Sequence, residues 1–139
     1  MTAKKFGRIQ GLVFICMFIL TGAAFAASSG VWQEAQFNGI PGGGRNQYNY
    51  WAGSHKATIS GHCSIRLMRK SPALPVYSAL INGDGIDRSP EVEFDNSFPV
   101  FPETTAQKGY TYYLRVRSAL FEPEDISTAT FKFSSDNLR

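Results

Sequence analysis

Between residues 109 and 120 the chain alternates with a period of two. Tyr110, Tyr112, Leu114, Val116, Ser118 and Leu120 take one parity; Thr111, Tyr113, Arg115 and Arg117 take the other. Alternation over this length marks a β-strand with one face on a core and one in water. It is the clearest period in the chain and predicts a central strand, with Tyr110, Tyr112, Leu114 and Val116 in the core. Residues 56–69 alternate too, with Ala57, Ile59, Gly61, Cys63, Ile65 and Leu67 on the apolar parity. Gly61 there suggests a bulge or bend, because glycine packs nothing within a strand.

Shorter runs repeat the pattern. Residues 30–38 read as a first strand, 76–81 as a nearly continuous apolar one, and 91–95 as a strand with Val92 and Phe94 inward and Glu91, Glu93 and Asp95 outward. Pro99 and Pro102 limit 98–101 to an edge strand. At the C-terminal end Ser127, Ala129, Phe131 and Phe133 alternate with Thr128, Thr130 and Lys132. Between these runs lie turn signals. Residues 39–54 read as a glycine-rich and aromatic loop, with Tyr48, Tyr50 and Trp51 either a short strand or part of the loop; 71–75 is a connection with two prolines, and 121–125 is a turn carrying Pro123. Asn82-Gly83-Asp84-Gly85 supplies the residues that tolerate the positive φ of a tight hairpin turn.

No segment carries a helical period. Six to eight short strands separated by Gly/Pro turns predict an all-β fold, a single antiparallel β-sandwich of immunoglobulin/fibronectin-like or similar type. The run from Tyr112 through Leu114 to Val116 resembles the penultimate strand of fibronectin type III domains over that one strand. The compact solution for the end of the chain is a C-terminal hairpin over 109–134, pairing Leu120 with Ser127, Val116 with Phe131 and Leu114 with Phe133. A slip of one residue would turn the phenylalanines into water. That hairpin sets Arg115 opposite Lys132 and Arg117 opposite Thr130, a basic stripe beside Tyr113.

Residues 1–26 change the count of what folds. Lys4, Lys5 and Arg8 precede a short apolar run from Leu12, and Ala24-Phe25-Ala26 forms a small-x-small end. This is the layout of a cleaved export signal, and the apolar run is short of the ~20 residues that cross a bilayer. The expectation is a secreted protein, or a periplasmic one in a Gram-negative cell, with no stable membrane anchor after cleavage and a single domain over 27–139. Removing three of the 14 basic residues leaves 11 against 11 acidic ones, so the precursor's net +3 falls to zero. Nucleic acid is therefore not an expected partner. Cys63 becomes the one cysteine, so no internal disulfide forms, and an exported domain held by packing alone suits a bacterial source.

Candidate chemistry is sparse. Glu91, Glu93 and Asp95, with Asp84 and Asp87, form an acidic run. Calcium would want an alternating oxygen pattern that Ile86 breaks, and a glycosidase pair would need a cleft. His62 and Cys63, adjacent on a strand, point to opposite faces, and Cys63 shares the apolar parity of a buried thiol. No cofactor or metal is expected. Pro41-Gly42-Gly43-Gly44-Arg45 lacks the Gly-Lys-Ser/Thr ending of a phosphate loop. The basic stripe of Tyr113, Arg115, Arg117 and Lys132 offers an anion-binding surface, unless Glu91, Glu93 and Asp95 on a neighbouring strand balance it. Tyr48, Tyr50 and Trp51 form the best site, a stacking or anchoring surface, unless Trp51 fills the core. These residues point to an exported, non-enzymatic interaction module, of bacterial origin, that binds a protein or a cell-envelope component. The alternative is a small carbohydrate-binding module using Tyr48, Tyr50 and Trp51.

Overall fold

The computed structural model describes residues 30–71, 75–121 and 127–139. The expected export signal over 1–26, the centre of the 71–75 connection and most of the 121–125 turn lie outside the described residues. Among these residues there are seven strands: β1 (Gln33–Ile40), β2 (Asn46–His55), β3 (Ser64–Ser71), β4 (Val76–Ile81), β5 (Val92–Phe94), β6 (Thr111–Ser118) and β7 (Ser127–Ser134). They form two antiparallel sheets, one of three strands in the order β1-β7-β3 and one of four in the order β2-β6-β4-β5. No helix occurs among the described residues.

The two sheets pack face to face through the apolar parities of their strands. Ala35, Phe37, Ile65, Leu67, Ala129, Phe131 and Phe133 come from one sheet, and Val76, Leu80, Phe94, Tyr112, Leu114 and Val116 from the other. Phe131 joins the layers. Its ring meets Phe37 of its own sheet edge-on at 6.0 Å and Phe94 of the facing sheet edge-on at 5.3 Å. Edge-to-face pairs of this kind add about 0.5–1.5 kcal/mol beyond the area they bury.

β6 and β7 do not form a hairpin. They lie in opposite sheets, with β6 between β2 and β4 and β7 between β1 and β3. A period of two decides which residues face the core, but strands meet through a core either side by side or face to face, and parity satisfies both. The partners of β7 are instead Gln33, Ala35 and Phe37 on β1 and Ile65 and Leu67 on β3.

Residues 99–103 lie along the free edge of β3. Ile65 and Val100 exchange both backbone hydrogen bonds, at 2.9 and 2.8 Å, and the Cys63 N–H donates to the Pro102 carbonyl at 3.0 Å. Counting this short edge, the chain pairs as nested hairpins. First meets last (β1 with β7), second meets next to last (β2 with β6), β3 meets 99–103, and β4 meets β5. One long hairpin rolled into two sheets is the connectivity of a jelly roll. An immunoglobulin domain instead pairs its last two strands within one sheet.

Two stretches differ from their sequence patterns. Of residues 39–54 only 41–45 form a loop: β1 runs to Ile40 and β2 begins at Asn46. Residues 56–63 alternate but lie outside any strand, and Ile59 is 90% exposed. A buried ionic latch holds that segment. The Lys56 ammonium donates to the Ser135 carbonyl at 2.7 Å and lies 3.6 Å from Asp136, both side chains being about 1% exposed. Asp136 accepts from the backbone N–H groups of Ala57 and Thr58 and from the Thr58 hydroxyl, at 3.0, 2.9 and 2.6 Å. These bonds satisfy the backbone that a sheet would otherwise pair. Tyr110 and Leu120, assigned by parity to the apolar face, flank β6 and are exposed.

Candidate binding site

The outward face of the four-stranded sheet carries the aromatic residues. Tyr48 and Tyr50 share a parity on β2, and Tyr113 lies on the neighbouring strand β6. The two β2 rings are 6.0 Å apart and nearly parallel at 4°, and Tyr113 meets Tyr50 at 5.4 Å and 69°. Both β2 tyrosines are half exposed.

Trp51 follows at an irregularity in the strand. Asn49 pairs with Leu114 and Ser54 with Tyr112, so β2 spends three more residues than β6 over this interval. Buried Asn49 pins the resulting bulge. Its amide oxygen accepts from the N–H groups of Trp51 and Ala52 at 2.9 and 3.1 Å, and its amide nitrogen donates to the Gln36 carbonyl on β1 at 2.9 Å. Trp51 is 99% exposed. It is not a core plug. The bulge is tightly backed, since a Cβ at Gly53 would come within 2.7 Å of the Thr111 methyl and 3.2 Å of the Tyr113 ring.

The β4–β5 turn closes the other side of the tyrosines. Asn82 accepts the Gly85 N–H at its carbonyl and the Asp84 and Ile86 N–H groups at its side-chain oxygen. Gly85 has φ +78°, and a Cβ there would lie 2.9 Å from the Tyr50 hydroxyl. The positive φ favours glycine through backbone strain, and the missing side chain lets the turn lie close against the tyrosine.

The expected basic stripe is dismantled. Lys132 belongs to β7 in the other sheet, opposite Glu34 and Arg66. Arg115 lies on the outward face yet is only 7% exposed, because the segment after the turn folds over it. Asp87 grips its guanidinium with both oxygens at 2.7 Å, Glu91 takes a third bond at 2.6 Å, and Asn46 a fourth at 3.2 Å. Glu91 also pairs with Arg117 at 2.6 Å, and the Arg117 guanidinium sits 3.9 Å over the Tyr77 ring. Burial pushes the Glu91 carboxyl pKa up, but bonds from Arg117 and Arg115 outweigh it and hold the group below the usual carboxylate range. Its Asp87 partner is the main cause raising the Arg115 pKa above its ordinary value. The acids on 87–91 are thus counterions of Arg115 and Arg117, as a balanced sheet face requires.

Cys63 is fully buried, and that burial pushes its thiol pKa up to about 12. No group of His, Cys, Asp and Glu side chains suited to a metal ion occurs among the described residues.

Sequence reasoning grouped Tyr48, Tyr50 and Trp51 and set Tyr113 apart with the arginines; the structure brings Tyr113 to the tyrosine pair. It missed Asn49, placed Asp87 only in an acidic run and read Gly85 only as a turn residue. A polar residue between two tyrosines, on the buried parity of a strand, is the one local sign of Asn49. Asp87 is locatable only once the 82–86 turn is placed, since that turn carries it back beside Ile81. No family model matches the chain, and neither curated proteins nor solved structures give a match.

Proposed function

We propose that this domain is an exported, non-catalytic binding module whose contact surface is the aromatic strip of Tyr48, Tyr50, Trp51 and Tyr113. Its partner is a protein or a component of the cell envelope. The observation that carries this reading is Trp51, held wholly in water by a bulge pinned through a buried asparagine. A covered tryptophan buries roughly 150–250 Å², so at about 25 cal/mol per Å² a partner that covers it gains several kcal/mol before the costs of association. Tryptophan and tyrosine on rigid backbone are also the commonest binding hot spots. The inert thiol of Cys63 and the saturated Arg115 support a binding role over a catalytic one.

Carbohydrate is the second reading, and the near-parallel Tyr48 and Tyr50 rings favour it. Stacked on each other beside Trp51, they form an aromatic wall against which a sugar ring can pack. The test is binding of the protein to envelope fractions and to a glycan array, with Trp51→Ala and Tyr50→Ala beside the parent. At least a tenfold loss of binding in Trp51→Ala is expected, with unchanged thermal stability because the indole packs on nothing. Equal binding by parent and both variants would remove the aromatic strip as the interface.

A further inference from the structure

Across the 82–86 turn from the tyrosines lies a cleft of about 390 Å³, bordered by that turn, by Thr105 and Gln107, and by Tyr110 and Thr111 at the start of β6. Arg88 lines it. The backbone of Arg88 is clamped on both sides: its N–H donates to the Leu80 carbonyl at 2.7 Å, and its carbonyl accepts the Thr105 N–H at 2.9 Å and the Thr104 hydroxyl at 2.6 Å. The guanidinium of this half-buried residue, by contrast, makes no ion pair or hydrogen bond among the described residues. Its acidic neighbour Asp87 is committed to Arg115. An unspent guanidinium on a clamped backbone, from a residue that lines a cleft, is a receptor for a planar carboxylate, which it can hold through two parallel bonds.

The other walls specify what carries that carboxylate. Tyr110 is 62% exposed, while the Lys56 N–H donates to its carbonyl at 2.9 Å, so a ring fixed at its base faces the solvent beside Arg88. Thr105, Gln107 and Thr111 add hydroxyl and amide groups, the complement of a polyhydroxylated ring with one flat apolar side. A second cleft of about 560 Å³, lined by His62 and Glu103 among others, shares Arg88 and Thr105 with the first, so the arginine borders both. Two clefts bordered by one arginine give room for neighbouring sugars on either side of it. The carboxylates of Asp84 in the first cleft and Glu103 in the second stand on either side of Arg88 and oppose further acidic groups.

We infer that this groove binds an oligosaccharide in which a carboxylated sugar, seated on Arg88 and stacked on Tyr110, is flanked by neutral sugars. The inference names a ligand class for the envelope reading, but it rests on residues outside the aromatic strip, so either can fail alone.

The test is calorimetric titration of the full chain with three probes. Hyaluronan oligosaccharides alternate acidic and neutral sugars, chito-oligosaccharides are neutral, and oligogalacturonates are acidic at every unit. The alternating probe is expected to bind at least tenfold more tightly than either of the others. Arg88→Gln should abolish its advantage over the neutral probe, Arg88→Lys should keep part of it, and Tyr110→Ala should weaken both. Unchanged thermal unfolding verifies that the variants are folded. Trp51→Ala should leave the ratio between probes unchanged, which separates this groove from the aromatic strip. Equal binding of neutral and alternating probes, or an acid preference that survives Arg88→Gln, overturns the proposal. So does absence of binding to all three.

Discussion

Arg115 shows how a residue's neighbours override its sequence pattern. By parity it belongs to water, and it does lie on the outward face, but Asp87 and Glu91 cover it. Removing the guanidinium strands two carboxylates that were arranged around it. The full penalty for breaking a buried pair is about 3–5 kcal/mol. Asp87 is 47% exposed and recovers part of its hydration, so Arg115→Ala is expected to cost about 2–3 kcal/mol by urea denaturation. A cost under about 0.5 kcal/mol, the size of an ordinary surface change, would show the cluster to be ornamental. Charge of this kind is poorly legible in sequence. Glu91 was visible as a candidate counterion on an alternating strand, whereas Asp87 sits in a turn, where no period says which way a side chain points.

Among the elements, the bulge in β2 is the feature on which the binding surface depends. Asn49 uses one side chain to cap two backbone N–H groups and to tie β2 to β1. Asn49→Ala is expected to destabilise the protein by about 1–3 kcal/mol, the usual cost of orphaning buried polar groups. It should also release Trp51 from its fixed position, so binding should weaken beyond what the stability loss explains. Fluorescence anisotropy of Trp51 in a Trp32→Phe background checks this; an unchanged anisotropy would mean the bulge is held by something else. Strands with strong alternation were legible, among them β6, β7 and β5. The 56–63 segment imitates them, because Ala57, Ile59 and Cys63 fall on one parity while Lys56 and Asp136 hold the backbone elsewhere. The bulge also blunts β2, an edge strand, as the prolines of 99–103 blunt the edge opposite, and such edges resist pairing with other chains.

For the whole molecule, two carboxylates tie stability to pH. Burial pushes the Asp136 pKa up, but the Thr58 hydroxyl, the backbone N–H groups of Ala57 and Thr58 and the Lys56 charge outweigh it, so both Asp136 and Glu91 titrate below their ordinary values. A folded pKa below the unfolded one stabilises above the unfolded value, about 4, and that contribution is lost as pH falls through the folded value. Urea midpoints should therefore match at pH 7 and pH 5.5 and drop at pH 3. A midpoint that holds at pH 3 would contradict both assignments. Topology was the part least legible in sequence, because parity is blind to which sheet a strand joins. It is also what most governs how the chain reaches its native state. Gln33 pairs with Phe133, and β7 is the sole partner of β1 in its sheet and the link to β3. A nascent chain still lacking β7 has a three-stranded layer with its central member missing and Phe131 absent from between the layers. It cannot bury its apolar faces until the final strand has left the ribosome. Cooperative folding thus waits for β7, and until that strand has emerged the polypeptide stays threadable.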